Sequence, residues 1–115
     1  MEHLSKSAIE DFLARRPFSV IHVDADWDGC RKSVADKIRA IEPQFQQIVS
    51  FGCVDCDTEQ EYAKEIGILN VPSAADYSGA RLCAVVIGMQ QDVAGNIGRF
   101  MRGESLDQTN TLSRG

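Results

Sequence analysis

The sequence has no long hydrophobic run, no basic cluster and a single tryptophan. Its longest apolar stretches, such as Cys83-Ala84-Val85-Val86-Ile87, have the length of a strand and fall far short of the roughly 20 residues that span a bilayer as a helix, so no membrane association is expected. Lys and Arg number 12 against 17 Asp and Glu, a formal net charge of −5, and the cations are scattered instead of gathered in a stripe. Such a chain repels phosphate backbones, and nucleic acid is not an expected partner. Glu2 and His3 stand where a secretory leader would carry a basic segment running into an apolar one, which makes the cytoplasm the expected compartment. The four cysteines are accordingly read as reduced thiols.

What is present suits one domain around one core, without internal repeats or a composition break: 115 residues, of which 43% are hydrophobic. Ser5 or Ser7 can cap a first helix with Ile9, Phe12 and Leu13 on its apolar face, closed by Pro17. Phe18 to Ala25 reads as a central strand, apolar on both faces. Val34, Ile38, Ile41 and Phe45 then recur at helical spacing from Gly29 to about Glu42, with Pro43 marking the end. Ile48 to Cys56 reads as the next strand, and Thr58 with Glu61 three residues on forms a capping-box pattern for a short helix that stops at Gly67. Ser73 to Tyr77 and Arg81 to Ile87 can pair through a Ser78-Gly79 turn. Asp92 can cap a last helix with Val93, Ile97, Phe100 and Met101 on its apolar side. From Gly103 onward there is little to bury. The expected division is therefore a domain over 1–102 and a disordered tail over 103–115.

One segment carries most of the functional information. Asp26-Trp27-Asp28-Gly29-Cys30-Arg31-Lys32 resembles the active-site turn of the thioredoxin family, W-C-G-P-C-K, with Trp27, Gly29 and Lys32 in frame and with Asp28 and Arg31 where the two cysteines would sit. Asp57, ten residues before Gly67, and the stretch Gly67-Ile68-Leu69-Asn70-Val71-Pro72-Ser73 are similar to the family's later segments, as are Tyr77-Ser78-Gly79 and Gly88. The likeness covers about residues 18 to 102. It implies an α/β fold of thioredoxin type, a mixed sheet of four to five strands flanked by helices, here with an extra N-terminal helix. It also implies that Pro72 is cis and faces the turn.

Chemistry and fold then diverge, because dithiol turnover needs a nucleophilic and a resolving thiol, and in the family both lie in that turn. Asp28 is neither; it can cap the following helix through backbone N–H groups. Cys30 falls where the family's turn has proline, beside Arg31 and Lys32, which favour thiolate, and near Asp24, Asp26 and Asp28, which oppose it. In a shifted register, Cys30-Arg31-Lys32-Ser33 forms the C-x-x-S motif of single-thiol proteins of this fold. His22 stands where the family has a buried carboxylate; it is either a base for Cys30 or a neutral, hydrogen-bonded core residue. Cys53-Val54-Asp55-Cys56 is formally C-x-x-C, yet residues three apart on a strand face opposite ways, so Cys53, Cys56 and Cys83 read as small buried hydrophobes and no metal site is expected.

The leading functional expectation is a protein or peptide interaction module without dithiol turnover and without a cofactor, using a groove formed by Trp27, Asp28, Gly29, Val71 and Pro72. Its alternative is a single-cysteine redox protein in which Cys30, aided by His22, forms mixed disulfides with protein or glutathione. A third is a structural subunit that oligomerises through the groove or a sheet edge.

Overall fold

The computed structural model describes residues 2–25, 37–45, 47–68, 70–88, 92–104 and 109–111, the last by backbone alone. The strands are β1 (Glu2–His3), β2 (Phe18–Asp24), β3 (Val49–Asp55), β4 (Ser73–Ser78), β5 (Arg81–Ile87) and β6 (Thr109–Thr111). The helices are α1 (Lys6–Ala14), α2 (residues 37–45), α3 (Gln60–Glu65) and α4 (Val93–Met101). One mixed sheet runs in the order β1-β3-β2-β4-β5-β6. β1, β3 and β2 are parallel, and β4, β5 and β6 continue the sheet in antiparallel pairs.

Side-chain alternation along the strands divides the core into two layers. Ile21, Val23, Val54, Ala75 and Tyr77 face α1 and α3, meeting Ile9, Phe12, Leu13, Tyr62 and Ile66. Val20, Val49, Phe51, Ala74 and Val86 face the other way, meeting Ile38 of α2 with Val93 and Ile97 of α4. Burying each of the larger aliphatic or aromatic groups contributes about 1.5–3 kcal/mol. The chain contributes almost no bulk at β4, where Ser73, Ala74 and Ala75 are each at most 2% exposed. Asp92 caps α4 as read from the sequence, its Oδ1 accepting the Gly95 N–H at 2.9 Å.

Several sequence expectations change. The mixed sheet is as expected, and the short edge strand β6 brings its count to six. Composition gave a structureless tail from Gly103, but Thr109–Thr111 pairs with Val86, Val85 and Ala84. Ladder hydrogen bonds come from the backbone, so an open edge can order residues with nothing apolar to bury. α2 passes through Pro43 to residue 45 instead of stopping at it. The Thr58 capping box is not formed either: Glu59 is the N-cap of α3, and Thr58 Oγ1 donates to the Asp55 carbonyl at 3.2 Å.

Candidate functional site

The C-terminal ends of parallel β2 and β3 define one end of the sheet, the place where α/β folds hold ligands because the chain opens into loops there. Asp24 and Asp55 are register partners at this end. The Cys56 N–H donates to the Asp24 carbonyl at 2.9 Å, and the Asp57 and Glu59 N–H groups donate to Asp55 Oδ1 and its carbonyl at 2.8 and 2.9 Å. The backbone around Asp55 is therefore fixed, and its neighbourhood is anionic. The Cys56 thiol is pushed up, first by burial and then by Asp57, Asp55 and Asp24.

β4 enters the same end, since Ser73 pairs with Val23. The Val71–Pro72 bond just before it is cis. Ser73 Oγ donates to the Asn70 carbonyl at 2.6 Å, and the Gly88 N–H donates to the Pro72 carbonyl at 2.7 Å, so the loop is held on both sides. Among the described residues, the N–H and C=O of Val71 have no hydrogen-bond partner, and its side chain is 39% exposed. Ile87, which pairs with Ser73 across β4 and β5, is 37% exposed. An apolar pair thus flanks Pro72. Val71 and Pro72 were legible in the sequence; Ile87 was read only as the last residue of a strand.

Trp27, Asp28, Gly29 and Cys30 lie outside the described residues. His22 is described and buried, 3% exposed, on the face of β2 that carries Val20. Burial alone lowers its pKa from 6.5 to about 4, which keeps the imidazole neutral. Among the described residues its Nε2 has no hydrogen-bond partner. On the neighbouring strand its register partner is Cys53, fully buried. Cys53 is disulfide-bonded, whereas Cys56 and Cys83 carry free thiols. The reading of all cysteines as reduced is therefore corrected at Cys53. Cys56 and Cys83 are also half-buried, not buried: Cys56 follows the end of β3, and Cys83 sits at a β-bulge, where Asp76 pairs with Ala84 but Tyr77 with Leu82.

Asp76 was missed. It is opposite Val20 on β4, 3% exposed, and burial raises its carboxyl from 3.8 to about 8. Strand alternation from Ala74 would have placed it inward; its residue type, depleted in strands, points the other way. Among the described residues, no group of three or more His, Cys, Asp or Glu is arranged to hold a metal, and no helix is long and apolar enough to cross a membrane.

Similarity to solved structures completes this description. The chain superposes on a thioredoxin from Plasmodium falciparum with a TM-score of 0.71 at 14% identity, covering 91% of this chain and 100% of that one. It superposes on thioredoxin f2 from Chlamydomonas reinhardtii with a TM-score of 0.73 at 17% identity, covering 91% and 99%. No protein-family model matches the sequence, and no curated protein matches it by sequence. At these identities the likeness establishes the fold, and the chain is a thioredoxin-like α/β domain.

Proposed function

We propose that this thioredoxin-like domain is a protein or peptide interaction module, docking an extended segment beside Val71 and Pro72 with Trp27, Asp28 and Gly29 as the opposite border. The observation that carries this reading is Val71: exposed, with both backbone polar groups unpaired among the described residues, on a loop held at each side. A free N–H and C=O on a fixed loop accept a strand-like peptide through main-chain bonds, while Val71 and Ile87 offer apolar contact. Asp24, Asp55 and Asp57 at the same end favour a peptide with a cationic residue. No dithiol turnover accompanies this role, because Asp28 and Arg31 replace the thiols of the motif.

The test is binding to an array of extended peptides, repeated with Trp27→Ala and with Val71→Asp. Each change should weaken captured peptides at least tenfold with the melting temperature nearly unchanged, since Val71 is not part of the core. Binding indifferent to both would remove the docking surface from the account.

A second reading is thiol redox chemistry through Cys30, which stands beside Arg31 and Lys32 in the sequence, residues that favour thiolate. Glutathione or a protein thiol would then be the exchange partner. Reduction of insulin by a dithiol, accelerated by the protein and lost on Cys30→Ser, would support it over the first.

A further inference from the structure

At the end of the sheet opposite the Pro72 loop, a recess of about 240 Å³ lies between the end of α1, α2 and the first residues of β3. Two arginines and two glutamates line it: Arg15, Arg16, Glu2 and Glu42. Arg15 and Glu2 satisfy each other, with Nη1 2.6 Å from Oε1 and Nη2 3.4 Å from Oε2. Arg16 and the half-buried Glu42 do not close on each other, and among the described residues neither has an ion-pair partner. What holds Arg16 is Ser50, 3% exposed on β3, whose Oγ accepts from Nη1 at 3.1 Å. Nε and Nη2 stay available side by side, the arrangement that pairs with a carboxylate. Two further groups are open here. β1 pairs with β3 only at Gly52 and Cys53, so among the described residues the outer edge of Val49–Phe51, which lines the recess, is uncovered. Ser19 is the register partner of Ser50 on β2 and shares its face of the sheet; it is wholly buried, and among the described residues its Oγ has no hydrogen-bond partner. Neighbouring strands lie about 4.8 Å apart, close enough for the two hydroxyls to bond after a rotation about χ1. Ser50 therefore has an alternative partner when Arg16 turns to a ligand, and neither hydroxyl is then stranded.

We propose that this recess binds a small zwitterion, an amino acid or a dipeptide, with its carboxylate on Arg16 and its ammonium group on Glu42. The site is separate from the docking loop and goes beyond the proposed function. Charge selects the class of ligand. A plain anion would meet the open carboxylate of Glu42 and a plain cation the open guanidinium of Arg16, whereas a molecule carrying both charges satisfies both. Size points the same way, since the recess is smaller than the roughly 300–1,000 Å³ of sites for drug-sized ligands. The uncovered edge of β3 adds main-chain bonds for a ligand that contains a peptide unit, so a dipeptide should bind more tightly than an amino acid.

The experiment titrates the full chain with glycylglycine, glycine, N-acetylglycine and glycinamide, followed by the backbone amide resonances. Glycylglycine should give saturable shifts at Ser50 and Phe51, and glycine weaker ones. N-acetylglycine, which keeps the carboxylate alone, and glycinamide, which keeps the ammonium group alone, should each bind at least tenfold more weakly than glycylglycine. Arg16→Gln and Glu42→Gln should each weaken glycylglycine at least tenfold with the melting temperature nearly unchanged, since neither side chain belongs to the core. Ser19→Ala should weaken it about three- to tenfold, the worth of one hydrogen bond, although it touches neither charge. Glycine bound as tightly as glycylglycine would keep the site and make the amino acid its ligand. No saturable shift from either zwitterion at about 10 mM, a concentration that fills any site of millimolar affinity, overturns the proposal. N-acetylglycine bound as tightly as glycylglycine would reveal an anion site and overturn it as well. So would shifts that survive both Arg16→Gln and Glu42→Gln.

Discussion

His22 and Asp76 project from neighbouring antiparallel strands onto the same face of the sheet, two residues out of register, and burial drives their pKa values in opposite directions. Both are neutral near pH 7: the histidine because its pKa falls to about 4, the aspartate because its own rises to about 8.

Stability should therefore have a plateau and then a decline. Asp76, raised in the folded state, contributes stability present below its ordinary 3.8 and lost as pH rises through about 8. His22, lowered in the folded state, contributes stability present above 6.5 and lost as pH falls through about 4. Between about pH 4 and 6.5 the two slopes cancel. From about 6.5 to 8 the aspartate acts alone, at up to about 1.4 kcal/mol per pH unit. Urea unfolding across this range should show that fall for the unmodified chain and a flat line for Asp76→Asn; the same profile in both would refute the assignment.

The Tyr62 and Tyr77 hydroxyls lie 2.6 Å apart in the layer beneath α1 and α3. Removing either one strands the other in an apolar setting, at about 1–3 kcal/mol. Tyr62→Phe and Tyr77→Phe should each destabilise, and the double variant should cost less than their sum by about 1 kcal/mol. Additive losses in thermal unfolding would show that the hydroxyls are not coupled.

Gly52 sits on β3 where β1 and α1 converge. A Cβ there would lie 2.6 Å from Leu4 Cδ1 and 3.0 Å from Phe12 Cζ. Leu4 is 1% exposed and Phe12 2%, so neither side chain can swing aside. Gly52→Ala should cost about 1–3 kcal/mol by overpacking. Shortening the obstruction with Leu4→Ala in the same chain should make the added methyl much cheaper, which a double-variant cycle reads directly.

Alkylation should sort the described cysteines. Cys56 and Cys83 should react in the native protein without reductant, and Cys53 only after its disulfide is reduced. Cys56 should be slow near neutral pH, because burial and the carboxylates of Asp57, Asp55 and Asp24 hold its thiol up. Asp57→Asn should accelerate it. Peptide mass mapping that found Cys53 alkylated before reduction would contradict the oxidised state.

Much of the architecture was legible because periodicity records burial. Phe18–Asp24 is a strand buried on both faces, as the apolar residues on each of its faces required, and Ile9, Phe12 and Leu13 are the buried side of α1. Two kinds of feature were not legible. β1 and β6 have two and three residues, too short for any periodicity, and are ordered by backbone pairing with edges that the sequence does not display. Asp76 owes its state to burial between neighbouring strands, opposite Val20 and Ala84, and the oxidised state of Cys53 is not written in its own strand. At the candidate site the Val71-Pro72 loop was visible from its motif, whereas the exposure of Ile87 follows from the register of β4 on β5.

The near absence of bulk at Ser73, Ala74 and Ala75 has a bearing on how this domain tolerates change. Ala74 and Ala75 have only a methyl to lose, at about 0.5–1 kcal/mol each as glycine, and Ser73 only the hydroxyl that holds the Asn70 carbonyl, while additions must displace neighbours in a closed layer. The middle of the sheet is thus more tolerant of loss than of gain. Neutral sequence drift at β4 is confined to the smallest residues, and compensating volume has to be gained or shed on the helices, where Ile38, Val93 and Ile97 sit across from it.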